Sequence, residues 1–449
     1  MNDWYEAEQH VERAHEHYEA GRWAEAEHEL REALSINPDR PEWYFNLGLT
    51  QEAAGRFDAA MESLSRANEL APDDPQVLTL LGSTAVRAGR HESAIGWLER
   101  AAALSDDHAS EALIWQIEAK SALGHHEEAE LAFYESLQRP GDHALAYANI
   151  AESLLDRGEN DRAAYCLREA STLDPSLPRV HARLAEAMTR TGRHERARQL
   201  YLRELRDAPG DVDTLLDLGC LLVDMNRLAE AGEKFRRVLE IEADNTEAHF
   251  CLGDLALRQH RLKEAEAAFG LVLRLDESFP EVRRRLAELH VRRGELLAAR
   301  RLLRHELDTL WHRESDFPDD DVRDLAELLL DVRLHRDAVK VLRVLCDRLP
   351  DRGEAWHLLA LALFESGDRP GGLIAARRAV RLDPGNVRAL HNLAYALMQE
   401  RQWSRARAYL RQALSVDSED AGLRRLRLWM RLSVVTRWVR RRVGVPAHT

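Results

Sequence analysis

The stretch WYFNLGLTQEAAGRFDAAMESLSRANELAPDD, from Trp43 to Asp74, decides the fold of this chain. Apolar residues recur in it every three or four positions, which is typical of amphipathic helices rather than strands. Gly55 divides the stretch into two such helices, and Pro72 ends the second because proline cannot continue a helix. Gly48 and Ala60, one in each helix, are small enough to let the two backbones approach closely. The stretch therefore predicts a hairpin of two packed helices.

The same pattern recurs along the chain with a period of 34 residues, interrupted by single spacings of 35 and 39. A small residue lies early in each second helix: Ala26, Ala60, Ala94, Ala129, Ala163, Ala197, Ala231, Ala265, Ala299, Ala338, Gly372 and Ala406. Twelve positions earlier stand Ala14, Gly48, Gly82, Ile117, Ala151, Ala185, Gly219, Gly253, Ala287, Ala326, Ala360 and Ala394, of which only Ile117 is large. Glycine marks many of the predicted turns: Gly21, Gly55, Gly89, Gly124, Gly158, Gly192, Gly294 and Gly367. The sequence thus predicts an array of about twelve hairpins.

This pattern resembles the tetratricopeptide repeat, a family of helix–turn–helix units. The resemblance implies an all-α fold, a right-handed superhelix (solenoid) of about twelve hairpins plus a C-terminal capping helix. In that family the first helix of each hairpin lines a concave groove. We divide the chain into hairpins 1–9 (residues 1–311), an acidic connecting loop (312–318), hairpins 10–12 (319–418), a basic C-terminal helix (419–443) and a tail (444–449).

The amino-acid composition argues against several classes of function and location. A formal net charge of −15 argues against a general nucleic-acid binder, which needs a basic surface. The four cysteines form no C-x-x-C pair, which favours a reducing compartment over a zinc or redox site. The polar start is unlike a secretory signal peptide, and no long apolar run predicts a transmembrane helix, so we expect a cytoplasmic protein. Arginine outnumbers lysine by 59 to 4, which we interpret as the coding bias of a GC-rich, bacterial genome.

Motifs for catalysis or cofactor binding are not found, so we expect no enzyme, no cofactor and no metal site. The histidines His91, His126, His194 and His335 all lie three positions before the repeat alanine, which indicates a shared packing position rather than a metal site. His10 and His17 lie on one face of the first helix and leave zinc binding as a minor alternative.

The resemblance also implies which residues face the groove, since positions 2, 5, 9, 12 and 13 of each first helix do so in the family, and peptide-binding relatives use an asparagine at position 6. The candidates for partner binding are Glu42, Phe45, Asn46, Leu49, Glu111, Glu118, Asn149, Glu152, Asp156, Asp213, Asp224, Phe250 and Asp254. Asn46, Asn149 and Asn392 stand where relatives use asparagine to grip a ligand backbone. A carboxylate-rich groove would attract basic, extended or helical protein segments. The alternative is that these acids only keep the face soluble.

The clamp of lysine and arginine that chaperone-tail adaptors of the family use is missing. Val11, His15, Gln76 and Leu80 stand at the matching positions. The resemblance therefore does not extend to that role.

The C-terminal stretch GLRRLRLWMRLSVVTRWVRRRVG, residues 422–444, belongs to a segment from Ala421 onwards with eight arginines and no acidic residue. One apolar stripe of the predicted helix, which includes Leu423, Leu426 and Met430, can cap the array. A second interface consists of Leu428, Trp429, Leu432, Val435, Trp438 and Val439. It would pack on the twelfth hairpin, or be covered by another copy of the chain, a partner helix or an anionic membrane surface.

Together these features predict a non-catalytic scaffold or adaptor that binds segments of other proteins, basic or amphipathic ones above all. The alternatives are a membrane-peripheral assembly factor anchored by the basic helix, or the recognition subunit of an enzyme complex.

Overall fold

The computed structural model describes residues 2–141, 143–279, 281–312 and 318–443, with side chains except at residues 2, 3, 107, 309–312 and 433–443. Within these residues it contains 25 α-helices and no β-strand. The helices are α1 Asn2–Glu19, α2 Trp23–Ile36, α3 Pro41–Ala53, α4 Phe57–Leu70, α5 Pro75–Arg87, α6 His91–Leu104, α7 Asp106–Ala122, α8 His126–Leu137, α9 His143–Asp156, α10 Asn160–Leu173, α11 Val180–Arg190, α12 His194–Asp207, α13 Val212–Asp224, α14 Leu228–Ile241, α15 Thr246–Arg258, α16 Leu262–Leu275, α17 Val282–Arg292, α18 Leu296–His312, α19 Asp319–Asp331, α20 His335–Arg348, α21 Gly353–Ser366, α22 Arg369–Leu382, α23 Val387–Gln399, α24 Trp403–Val416 and α25 Ala421–Val443.

The chain separates into two compact units, Met1–Ala243 and Asp244–Thr449. In the first unit α1–α14 pair into seven hairpins, and in the second α15–α24 pair into five hairpins that α25 follows. Within each unit, the second helix of a hairpin also packs against the first helix of the next one. The predicted all-α array of twelve hairpins with a final helix is confirmed. The predicted acidic loop, 312–318, lies almost wholly outside the described residues.

Close helix crossings explain the recurring small residues. An added Cβ on Gly82 would lie 2.4 Å from Leu98 Cγ, and one on Gly219 would lie 2.3 Å from Phe235 Cε1. Such distances are far below van der Waals contact, so these positions accept no larger residue without movement of the opposite side chain. Ile117, the one large residue at this position, is fully buried in α7, which is longer than the other first helices of its unit apart from α1.

The turn inside each hairpin has the same backbone conformation. The eight glycines that mark the predicted turns all have positive φ, between 70° and 95°. In the remaining four hairpins the same position holds Asn226, His260, Arg333 or Arg401, each with φ between 58° and 60°. This left-handed conformation reverses the chain after one helix, and glycine adopts it at the lowest cost.

The final helix caps the second unit, as predicted. Leu423, Leu426 and Met430 are buried in the core of that unit, and α25 contacts both α23 and α24. The first stripe of the C-terminal helix therefore covers the apolar end of the last hairpin, which a repeat array requires at its ends.

Candidate functional site

The first helices of the hairpins form a surface in each unit that we call the first-helix face. It comprises α1, α3, α5, α7, α9, α11 and α13 in the first unit, and α15, α17, α19, α21 and α23 in the second. Neighbouring first helices contact each other directly, as α5, α7 and α9 do. Every candidate residue predicted for the groove lies on one of these helices.

Arginines from adjacent hairpins neutralise many carboxylates of this face. Arg87 Nη1 lies 2.7 Å from Glu52 Oε1, and Arg179 Nη1 lies 2.7 Å from Asp213 Oδ2. Arg183 Nη2 lies 3.4 Å from Glu152 Oε2. The face is therefore less acidic over these hairpins than a count of its carboxylates indicates.

One such arrangement occurs twice, once in each unit. The sequence V-x-x-R-L-A-E-x-x-x-R occupies residues 180–190 in α11 and residues 282–292 in α17. In α11, Arg190 Nη1 donates a hydrogen bond of 2.7 Å to the carbonyl oxygen of Leu155 in α9. In α17, Arg292 Nη1 donates one of 3.0 Å to the carbonyl oxygen of Leu257 in α15. These arginines tie adjacent first helices together, so their role is to hold the face in shape.

The carboxylate of Asp254 belongs to the second copy of this arrangement. Its oxygens lie 2.7 Å from Arg258 Nε and 3.4 Å from Arg285 Nε. Glu152 occupies the equivalent position in the first copy and pairs with Arg183. Both predicted partner-binding residues are thus already engaged within the fold.

Asn149 is buried between α7 and α9. Its Nδ2 donates to the carbonyl oxygen of Ile114 and to Glu118 Oε2, both at 3.2 Å. Burial, together with the nearby charge of Glu152, raises the pKa of Glu118 above its usual value, although the bond from Asn149 acts in the opposite direction. The N–H donors of Asn149 serve the contact between helices, so its role in gripping a ligand stays a prediction.

The other predicted residues are more accessible. Glu42, Asn46, Glu111, Asp156 and Asp224 are exposed, and Leu49 is half-buried. Phe45 and Phe250 are half-buried and pack partly on their own units; the Phe250 ring centroid lies 5.7 Å from that of Phe269. The exposed group is the part of the predicted site that remains free for a ligand.

A concavity of the first-helix face lies on the last three hairpins, where sequence reasoning had named only Asn392. This acidic groove has a volume of about 640 Å³, and α19, α21 and α23 line it with Glu327, Asp331, Glu354, His357, Leu361 and Asn392, among others. A second concavity of about 390 Å³ continues it and shares Leu361, His391 and Asn392. These residues occupy the same helix positions as the residues predicted to face the groove in hairpins 2 to 8. Extending that rule to hairpins 10 to 12 would have found them.

Charge in the acidic groove differs from that of the hairpins where arginines pair with the carboxylates of the face. Within the described part of the chain, Glu327, Asp331 and Glu354 have no arginine or lysine at ion-pairing distance. Burial raises the pKa of Glu327, and the neighbouring carboxylates of Asp324, Glu354 and Asp331 raise it further, although the charge of Arg323 acts in the opposite direction. Arg388 is the basic side chain of the lining. The groove thus carries carboxylates whose mutual repulsion a bound cation would relieve.

The second interface predicted on α25 is exposed where the structure describes it. Leu428, Trp429 and Leu432 are 59%, 44% and 53% exposed, and the Trp429 ring centroid lies 6.0 Å from that of Tyr395. The side chains of Val435, Trp438 and Val439 lie outside the described residues.

The four histidines of the shared repeat position each begin a second helix: His91 in α6, His126 in α8, His194 in α12 and His335 in α20. All are half-buried, as a packing position requires. His126 Nδ1 lies 2.8 Å from Ser153 Oγ. Among the described residues, no group of three or more histidine, cysteine, aspartate or glutamate side chains is placed to hold a metal ion.

Cys166 and Cys346 are buried free thiols, and burial raises the pKa of Cys166 to about 11 and that of Cys346 to about 12. Across the part of the chain that is described, no helix has the length and apolar character needed to cross a membrane.

Comparison with solved structures finds chains of low sequence identity. Yeast Tom70 is 16% identical with a TM-score of 0.42, and the match covers 98% of each chain. The Cut9–Hcn1 hetero-tetramer of APC/C contains a chain that is 12% identical with a TM-score of 0.46; the match covers 93% of this chain and 95% of that one. PilW, a widely conserved type IV pilus biogenesis factor, is 16% identical with a TM-score of 0.43 over 48% of this chain and 98% of its own.

A comparison with curated proteins finds none that matches this sequence. Two sequence models of the tetratricopeptide repeat do match it. One covers residues 17–83 and 363–428, and the other covers 61–111, 148–212, 216–278 and 323–387. The second alone spans more than half of the chain, and its segments coincide with the helical hairpins described above. This protein therefore belongs to the tetratricopeptide repeat family.

Proposed function

We propose that this protein is a non-catalytic scaffold that binds segments of other proteins on its first-helix face. Members of a repeat family with stacked hairpins offer long side-chain-lined surfaces, and extended or helical segments suit such surfaces. We place the main binding site in the acidic groove of hairpins 10 to 12. The preferred ligand is a protein segment in which basic residues are followed by an apolar residue.

The observation that carries this proposal is the set of carboxylates in the acidic groove without basic partners. Glu327, Asp331 and Glu354 lie beside the apolar side chains Leu330 and Leu361 in one concavity. Elsewhere on the face, carboxylates such as Glu52 and Glu152 are paired with arginine. A basic segment would gain attraction here without displacing an internal ion pair, and its apolar residues would cover the floor of the groove.

Selection from a randomised peptide library on the full chain tests the proposal. We expect the selected peptides to be rich in arginine and lysine and to bind the variant Glu327→Gln/Glu354→Gln at least about tenfold more weakly, since two attractive charges are lost. The measurement is the dissociation constant by fluorescence anisotropy at low and high salt, because screening should reduce binding to the wild type more than to the variant.

A matched control is Glu62→Gln on α4, where an exposed carboxylate of a second helix is replaced. It should leave the dissociation constant unchanged. Peptides that bind the groove variant and the wild type with equal affinity would show that the acidic groove is not the binding site.

A second candidate function, anchoring at an anionic membrane surface, is favoured by the exposed Leu428 and Leu432 beside Arg427 and Arg431 on α25. Flotation of the full chain with phosphatidylserine vesicles tests it, and the variant Leu428→Glu/Leu432→Glu should remove such binding. A cytoplasmic location, supported by the free cysteines Cys166 and Cys346, is part of the main proposal.

A further inference from the structure

Helix α25 occupies the place of a first helix in the repeat. It begins at Ala421, one repeat of 34 residues after α23 begins at Val387. Its N-terminus is capped in the same way, because Asp420 Oδ1 accepts a 2.7 Å hydrogen bond from the Leu423 amide just as Asn386 Oδ1 accepts one of 2.9 Å from the Ala389 amide. The helix then continues through Val435, where the other hairpins turn, and ends at Val443.

An arginine groove lies where α24 and α25 meet. Its volume is about 820 Å³, and it is lined by Arg407, Leu410, Arg411, Leu414, Ser415, Arg427, Met430 and Arg431. In the complete hairpins a second helix packs against the first helix that precedes it. Such a helix would cover Leu414, which is half-buried, whereas Leu410 and Met430 are already buried in the core. The groove therefore lies where a further helix would pack.

The arginines of this groove have no acidic partners. Across the described residues, Arg407, Arg411, Arg427 and Arg431 have no carboxylate at ion-pairing distance, whereas Arg87, Arg157, Arg162 and Arg190 on other hairpins are paired. Two of the groove arginines lie four residues apart on α24, and the other two lie four residues apart on α25, so each pair forms a row along its helix. The fitting occupant is an amphipathic helix with acidic residues at the same spacing.

The chain carries such a helix at its opposite end. Helix α1 contains six acidic residues and one arginine. Glu8, Glu12 and Glu16 follow one another at intervals of four, and within the described residues none of them has a basic partner. The aromatic side chains of Trp4 and Tyr5, 54% and 62% exposed, continue the outer surface of α1.

We propose that the arginine groove of one copy binds helix α1 of a second copy. The Glu8–Glu12–Glu16 row then faces the arginine rows of α24 and α25, and the aromatic residues of α1 pack against Leu414. This contact joins unlike ends of the chain, so it is heterologous. In a pair of copies, one copy retains a free helix α1 and the other retains a free arginine groove. It is independent of the acidic groove, because the two surfaces share no residue.

Sedimentation velocity of the full chain across a concentration series tests the inference. We expect association that grows with concentration and weakens with salt. The variants Arg411→Glu/Arg431→Glu and Glu12→Arg/Glu16→Arg should each associate at least about tenfold more weakly, since like charges then meet in the contact. All four residues are exposed, so we expect both variants to fold, which circular dichroism and thermal melting check.

Mixing the two variants is the decisive experiment. The arginine groove with reversed charge in one variant and the helix α1 with reversed charge in the other again have opposite charge. Restored association supports the proposal. A wild type that stays monomeric at the highest soluble concentration overturns it, as does association that neither variant weakens. Failure of the mixture to associate excludes α1 as the occupant.

Binding of phosphatidylserine vesicles that Arg411→Glu/Arg431→Glu abolishes, without any association of copies, would assign the arginines to a lipid surface instead. None of these results bears on the peptide selection, which tests the proposed function separately.

Discussion

At the scale of the residue, Gly219 sets the distance between two helices. Phe235, which is 1% exposed, fills the space opposite it, and an added Cβ would lie 2.3 Å from its ring. We expect Gly219→Ala to lower the free energy of unfolding of this hairpin by about 1–3 kcal/mol, because the phenyl ring must shift in a packed core. Chemical denaturation followed by circular dichroism measures the change.

Two comparisons within the chain check this explanation. Gly96 lies in α6 with no atom within 4 Å of an added Cβ, so Gly96→Ala should stabilise by about 0.5–1 kcal/mol through helix propensity alone. Combining Gly219→Ala with Phe235→Leu recreates the Ala151 and Leu167 combination of the fifth hairpin and should recover much of the loss. A destabilisation equal in size for Gly96→Ala would contradict the role of close packing.

The turn position offers a stabilising substitution. Arg333 has φ of 60°, a conformation that costs a non-glycine residue about 1–2 kcal/mol. Arg333→Gly removes this cost but makes the unfolded chain more flexible, so we expect a net gain of about 0.5–1 kcal/mol. Asn226→Gly, at the same position of another hairpin, should change stability less because asparagine tolerates positive φ. Thermal melting of both variants tests this prediction. An equal effect of the two substitutions would argue against relief of backbone strain at Arg333.

Most of this residue-scale information could be predicted from the sequence. The spacing of Ala26, Ala60 and the equivalent residues depends only on local helix geometry, so the register of all twelve hairpins was correct. Positive φ at Gly55 followed from the same register. At His260, Arg333 and Arg401 the repeat imposes the turn on residues with no preference for it, and only their position in the register indicates this.

At the scale of the element, a buried polar network joins the first two hairpins. Glu27 of α2 is 4% exposed, and its Oε1 accepts a 3.0 Å hydrogen bond from Gln51 Nε2 of α3. Gln51 Oε1 in turn accepts one of 2.7 Å from Ser63 Oγ of α4, and Arg56 also donates to Glu27. Three helices are thus connected through one carboxylate, which makes its charge a determinant of how the hairpins stack.

The pKa of Glu27 makes this network sensitive to pH. Burial raises the pKa, but hydrogen bonds from Gln51 and Arg56 and the charge of Arg31 outweigh it, so the pKa lies below the usual 4.5. The folded state then binds fewer protons than the unfolded state near that value. The stabilisation is therefore complete above pH 4.5 and is lost as the pH falls through the lower pKa of the folded state.

We expect Glu27→Gln to melt at a lower temperature than the wild type at neutral pH, with a loss of about 1–3 kcal/mol from the charged hydrogen bonds. The difference should shrink as the pH falls below 4.5 and through the lower pKa of the folded state, where the wild-type carboxyl also becomes neutral. Melting temperatures of the wild type and of Glu27→Gln, from neutral to acidic pH, test this prediction. Glu32→Gln, an exposed carboxylate on the same helix, serves as the control. A difference that stays constant with pH would show that shape rather than charge matters at this position.

Contacts between elements were the part of the site that sequence reasoning could not supply. The positions of Glu52 and Glu152 on the first-helix face were predicted, but their pairing with Arg87 and Arg183 depends on how far one first helix is shifted along the next. That shift results from packing across the whole hairpin. The expectation of a carboxylate-rich groove therefore missed the contrast between the paired carboxylates and those of the acidic groove.

At the scale of the whole molecule, stability is expected to be local because each hairpin contacts mainly its neighbours. A single melting curve then averages over hairpins that open separately, so it compares a variant with the wild type, and hydrogen exchange assigns the change to a hairpin. The closing helix has a particular role in such an array, since α25 is the last element to cover the core of the second unit. Loss of that cover should loosen the hairpins next to it first.

Leu426, which is 5% exposed, provides the test of this locality. Leu426→Ala removes a buried side chain between α25 and the last hairpin and should cost about 2–5 kcal/mol there. Hydrogen exchange should accelerate in α23, α24 and α25 while α1–α6 keep the rates of the wild type. Leu30→Ala, at an equally buried position near the other end, should give the reverse pattern, with faster exchange in α1–α4 and unchanged rates in α21–α25. Acceleration throughout both units in either variant would mean that the array unfolds as one cooperative body, and the treatment of its two ends as independent surfaces would then fail.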